Sequence, residues 1–174
     1  MGFNGYEFVA KTPTSLEHAS AINDLGEMYE TNLDGDWRLG SVSSYPSREP
    51  MDIALELAAQ TGFPAIAMYV FDSTWADGYF QGLSPAASGG FYLCESMAIA
   101  AIIAEYELEE LYPKPGISLR NDSAVPGLIA WAADAGLVTE QQKLVRALAR
   151  EPGAMNYGVL ALAAALGIAV PQRS

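Results

Sequence analysis

Between Glu49 and Pro113 the chain runs 65 residues with ten carboxylates and no Lys, Arg or His. Acids without basic neighbours cannot be answered by local ion pairs, so they face either water or a positively charged partner. Residues 1–113 carry 17 Asp and Glu against three Lys and Arg, a formal −14; residues 114–174 carry four against six, a formal +2. The imbalance belongs to one end of the chain. An acid excess of this size argues against binding to nucleic-acid backbones or anionic membranes, both of which need clustered bases. Mimicry of a nucleic acid is compatible with it.

The 174 residues are 51% hydrophobic, enough for one domain with a proper core despite the net −12. Cys94 is the only cysteine, which excludes an intrachain disulfide and favours a reducing, cytoplasmic setting. The N-terminus lacks the basic start and apolar run of a secretory signal. The most apolar stretch, Ala154 to Val170, is short, Ala-rich and interrupted by Asn156, Gly158 and Gly167, so a core helix is expected there rather than a membrane span.

Hydrophobic periodicity and turn residues predict a single α+β domain over 1–174. Its small, mostly antiparallel sheet lies in the first half and its helices in the C-terminal half. Strands are expected at Tyr6 to Lys11, Trp37 to Ser44, Ala65 to Phe71, Trp75 to Leu83 and Phe91 to Leu93. Thr14-Ser15-Leu16-Glu17 fits a capping box, predicting a helix to about Glu30 with Leu16, Ala19, Ile22 and Leu25 or Met28 inward. Further helices are expected over Ser47 to Gly62, Met97 to Tyr112, Pro126 to Gly136, Thr139 (another capping box) to Arg150, and Ala154 to Leu166.

Few residues carry catalytic chemistry. Cys94 sits at a strand-to-helix junction, where helix amides can activate a thiol. The only histidine, His18, is in a distant segment, and the apolar flanks of Cys94 suit a buried structural cysteine. Asp34-Gly35-Asp36 lacks calcium-loop spacing, and one His with one Cys cannot build an ordinary zinc site, so no metal or cofactor is expected. Phosphate-loop, dinucleotide and nucleophile-elbow motifs are absent. Paired carboxylates for acid–base work have no diagnostic spacing.

Two places break local rules. Glu105, Glu107, Glu109 and Glu110 crowd the end of a helix, where the dipole favours cations, and Glu105 and Glu109 repel at i,i+4. Such acids are either solvated, or paired with Lys114, Arg120 or the basic stretch of Lys143, Arg146 and Arg150, or aimed at a partner. Asp72, Trp75, Asp77 and Tyr79 combine acids and aromatics around a turn, the composition of an interface anchor with an acidic rim. Aromatics in an alternating strand also serve as core.

Phe63 to Ser73 (FPAIAMYVFDS), Leu128 to Leu137 (LIAWAADAGL) and Leu162 to Ile168 (LAAALGI) resemble small acidic bacterial proteins of the immunity type. Members of that group neutralise a toxin by binding it. The −14 of residues 1–113 and the absence of catalytic motifs, taken with this resemblance, lead to the expectation of a non-enzymatic, cytoplasmic inhibitor whose acidic face blocks a basic toxin or nuclease. The two rule-breaking patches would supply the contacts, without direct nucleic-acid or membrane binding. The alternatives are a DNA-mimicking inhibitor of a nucleic-acid-binding protein, a small enzyme using Cys94 or paired carboxylates, and a self-associating homo-oligomer.

Overall fold

The computed structural model describes residues 2–106, 120–153 and 156–171, with the side chains of Ile103, Glu105 and Tyr106 left aside. Six strands form one sheet: β1 (Gly5–Lys11), β2 (Met28–Asn32), β3 (Trp37–Ser43), β4 (Ala65–Phe71), β5 (Trp75–Gln81) and β6 (Ser88–Leu93). The order is β2-β3-β1-β4-β5-β6 and every pairing is antiparallel. The helices are α1 (Pro50–Thr61), α2 (Glu95–Tyr106), α3 (Asn121–Asp134), α4 (Gln141–Leu148) and α5 (Tyr157–Ala165). The expected α+β architecture, sheet first and helices after, is what forms. Among the described residues, no helix is long and apolar enough to cross a membrane.

The pleat sorts side chains into two cores because successive strand residues point to opposite faces. Tyr6, Phe8 and Ala10 of β1, with Ala65, Ala67 and Tyr69 of β4, pack against Ile53, Ala54 and Leu57 of α1 and against Leu16, Ile22 and Leu25. Val9, Ile66, Met68, Phe80 and Phe91 point the other way, onto Leu128 and Trp131 of α3, Leu144 and Leu148 of α4, and Val159 and Leu162 of α5. The sheet is therefore sandwiched between an α1 layer and an α3–α5 layer. With both faces covered, β1 and β4 read as near-continuous apolar runs, as expected of central strands.

Local chemistry positions α1. The Tyr6 hydroxyl accepts hydrogen bonds from the amides of Ser47 and Arg48, each at 2.8 Å, and donates to the Arg48 carbonyl at 2.7 Å. Pro50 opens the helix, and left-handed Gly62 closes it with its amide on the Ala58 carbonyl.

The helix expected from Thr14 to Glu30 is not present. Only Leu16–His18 form a 3-10 turn, and Met28–Asn32 become strand β2. The capping box is replaced by a tertiary cap: the Glu30 carboxylate, presented from β2, accepts the Leu16 amide at 2.6 Å and the Ser15 hydroxyl at 3.0 Å. Leu16, Ile22 and Leu25 do turn inward, so the apolar pattern reported burial and not helicity. The box at Thr139 likewise fails, because its hydroxyl donates to the Ala165 carbonyl and α4 begins at Gln141. Helix α3 starts five residues before Pro126, since the Glu95 carboxylate accepts the Arg120 and Asn121 amides and caps it there.

Candidate protein-binding site

The β4–β5 hairpin carries the first sequence-singled patch. Asp72 and Ser73 form its tip in left-handed conformation, with φ of 48° and 59°. They clamp the segment leading into β1. The Asp72 carboxylate accepts the Gly2 amide at 2.9 Å, and the Ser73 hydroxyl accepts the Phe3 amide at 2.6 Å. Asp72 is thus held in a structural turn. Trp75, Asp77 and Tyr79 alternate along β5 and share the sheet face that α1 covers. Trp75 is half-buried, stacked on Phe71 at 4.0 Å and edge-on to Tyr92 at 6.1 Å. Asp77 accepts the Arg120 guanidinium at 2.8 Å, while that guanidinium also lies over the Tyr92 ring. Burial nevertheless raises the Asp77 carboxyl above the usual range, with Arg120 opposing the rise and Glu49 adding to it.

The influence of Glu49 joins this patch to the N-terminus of α1. Sequence reasoning did not single out the surface that continues from there. Residues 12–27 lie beside α1 on the same face: the Gln60 side chain accepts the Ala21 amide and donates to the Ser20 hydroxyl, and Arg48 donates to the Ala21 carbonyl. Together residues 12–27 and 48–61 carry six carboxylates (Glu17, Asp24, Glu27, Glu49, Asp52 and Glu56) against Arg48 alone, a formal −5. Arg48 bonds Glu56 at 2.8 Å and lies 3.8 Å from Asp24. Met51 and Leu55, 45% and 43% exposed, stand among these acids on the outer face of α1. Asp52 and Glu56 follow Met51 and Leu55 along the same helix, and Asp24 shares Arg48 with Glu56, so this apolar pair is bordered by acids. Its signal was in the sequence: Met51, Asp52, Leu55 and Glu56 fall at helical spacing opposite the buried Ile53, Ala54 and Leu57.

The second patch, Glu105 with Glu107, Glu109 and Glu110, lies outside the described residues; Glu105 falls in α2 by its backbone alone. Cys94 does occupy the strand-to-helix junction, left-handed at φ 55°. It is 7% exposed, and its amide donates to the Leu148 carbonyl. His18 is exposed beside Glu17, on the 3-10 turn of the α1 layer. Among the described residues no three His, Cys, Asp or Glu side chains converge as a metal site would require.

Glu7 is the other residue that the sequence did not flag. It sits mid-β1 on the face of Val9, 1% exposed, and neither carboxyl oxygen has a hydrogen-bond partner. Burial pushes its carboxyl up to about 8, and the neighbouring Ser41 hydroxyl offsets this only in part. A carboxylate between apolar residues of a strand covered on both faces was the available signal.

No protein-family model matches the chain, and no curated protein or solved structure is significantly similar to it.

Proposed function

We propose that the protein is a non-enzymatic binding protein that engages a basic protein through the α1 layer, in the manner of immunity-type inhibitors that neutralise a toxin or nuclease. The observation that carries this reading is the charge of the α1 layer, six carboxylates in residues 12–27 and 48–61 against Arg48 alone, with Met51 and Leu55 exposed on the outer face of α1. Acidic rims steer a basic partner toward an apolar anchor and accelerate encounter, while the apolar centre holds the complex. The adjoining Trp75, Asp77 and Tyr79 extend the same surface along β5.

The test is affinity capture from the native host at low salt, followed by kinetics on the captured protein. The expected partner is basic, with an on-rate that falls several-fold as salt rises and an off-rate that changes little. The triple change Glu49→Gln, Asp52→Asn, Glu56→Gln should slow association and flatten that salt dependence. Met51→Ala with Leu55→Ala should speed dissociation. A partner whose association ignores all five changes would place the binding surface elsewhere.

A further inference from the structure

The two edges of the sheet are finished differently. At β6 the Asn121 side chain accepts the Tyr92 amide at 2.9 Å and donates to the Tyr92 carbonyl at 2.9 Å, the pair of bonds that a further strand would make. Just beyond β6, the Cys94 amide donates to the Leu148 carbonyl at 2.8 Å. That edge is closed by the chain itself.

The β2 edge is open. The Leu33 amide donates to the Trp37 carbonyl at 2.9 Å, and the register runs unbroken from there through Thr31 opposite Leu39 and Tyr29 opposite Ser41. Antiparallel ladders bond alternate pairs, so Tyr29 and Thr31 turn their amides and carbonyls to β3, whereas Met28, Glu30 and Asn32 turn theirs outward. Among the described residues these outward groups meet no partner. The strand also lacks the devices that blunt an edge: MYETN holds no proline or lysine and its register carries no bulge. Its one charge, Glu30, is answered within the fold, accepting the Ser15 hydroxyl and the Leu16 amide and lying 3.6 Å from Arg38. Tyr29, 71% exposed, and Thr31 stand on the sheet face away from α1, beside Leu39.

Charge selects the occupant. Residues 27–36 carry Glu27, Glu30, Asp34 and Asp36 and no Lys, Arg or His. A second copy of β2, in the fully overlapped antiparallel register, would set Glu30 against its own counterpart and bring together two chains of net −12. Like charges directly opposite one another destabilise a sheet. A strand bearing lysine or arginine meets these acids favourably, and the Tyr29 ring offers its cations a face. We propose that β2 is the docking edge for an extended, basic segment of a partner protein, which joins the six-stranded sheet through the outward amides and carbonyls of Met28, Glu30 and Asn32. The edge is a site apart from the outer face of α1, and a synthetic strand tests it without that face's partner.

The probe is the peptide acetyl-Lys-Val-Lys-Val-Lys-Val-Lys-amide, with a control in which Glu replaces every Lys, read by amide hydrogen exchange of the full chain. In the free protein, Tyr29 and Thr31 should be protected, while Met28, Glu30 and Asn32 exchange at close to unstructured rates. With the lysine peptide at about ten times its Kd, the outward amides should slow about tenfold while those of β4 hold steady. The glutamate peptide should change neither. Asn32→Pro removes an outward donor and no bond to β3, so it should weaken the lysine peptide several-fold with β4 protection intact. A lysine peptide that does not bind, or that binds without slowing these amides, overturns the proposal, and so does an Asn32→Pro variant that binds it unchanged. Equal effects of the two peptides overturn the basic occupant. Protection that arises without peptide and grows with protein concentration gives the edge to a second copy and overturns the proposal as well.

Discussion

At the scale of single residues, buried charge is the chief liability of this chain, and the structure answers it unevenly. Asp134 shows a well-answered acid. Burial alone would raise its carboxyl, but the Ser84 amide, the Leu83 amide and the Ser84 hydroxyl more than offset that and hold it below the usual range. Glu7 shows the opposite. Its folded carboxyl, at about 8, lies above the ordinary 4.5, so the native state keeps a proton that the unfolded chain releases. Stability contributed at Glu7 is therefore full below about pH 4.5 and declines as pH rises toward about 8, at about 1.4 kcal/mol per unit. The accumulated penalty at pH 7 is roughly 3 kcal/mol. Glu7→Gln should raise unfolding stability at pH 7 by about 1–3 kcal/mol, the lower end reflecting a Gln amide that is also buried without a partner. The gain should shrink toward pH 5. Urea unfolding at both pH values checks this, and equal effects at both would contradict the assigned proton.

At the scale of elements, backbone demands and packing demands separate cleanly at two glycines. Gly62 ends α1 at φ 73°, and a Cβ there would meet nothing within 4 Å, so only the left-handed backbone resists substitution. Gly78, mid-β5, is limited by space instead. A Cβ would come within 2.4 Å of the fully buried Phe91 ring. Gly62→Ala should cost about 1 kcal/mol, whereas Gly78→Ala should cost about 2–3 kcal/mol because Phe91 has no room to retreat. Denaturant midpoints of the two variants measure the difference, and comparable costs would undo the packing argument. Strands β1, β3 and β4 and helix α1 were legible from the sequence to within a few residues, since pattern, proline and glycine signals agree there. Strand β2 was not. Its pairing with β3 and the Glu30 cap on the Leu16 turn are long-range choices that outweigh local helix propensity.

At the scale of the whole molecule, charge is distributed by layer. The α1 layer is a formal −5, whereas residues 120–171 balance four carboxylates with Arg120, Lys143, Arg146 and Arg150. Lys143, Arg146 and Arg150 flank a shallow cleft with Ala161 and Ala164, on the side of the sheet away from α1. Like charges gathered on one face repel, and screening relieves them. Raising salt from about 0.05 to about 0.5 M should therefore increase Tm by about 2–4 °C. A Tm that falls with salt would mean that the ion pairs of Arg48 and Arg120 outweigh the repulsion. The proposed partner surface and this salt response share one cause, the acids gathered around α1.

The sequence by itself determined the class of fold, strands β1, β3 and β4 and helix α1 to within a few residues, and the one-sided excess of acid. These follow from periodicity and composition, which act locally or additively. Tertiary structure alone decided where each acid went. It carried Arg120 across 43 positions to Asp77 and placed Glu95 over the start of α3. It brought Asp24 to Arg48 beside Glu56, and buried Glu7 in mid-sheet with no hydrogen-bond partner for its carboxyl oxygens. Electrostatic energy depends on distance and dielectric in space, and neither is a property of position along the chain.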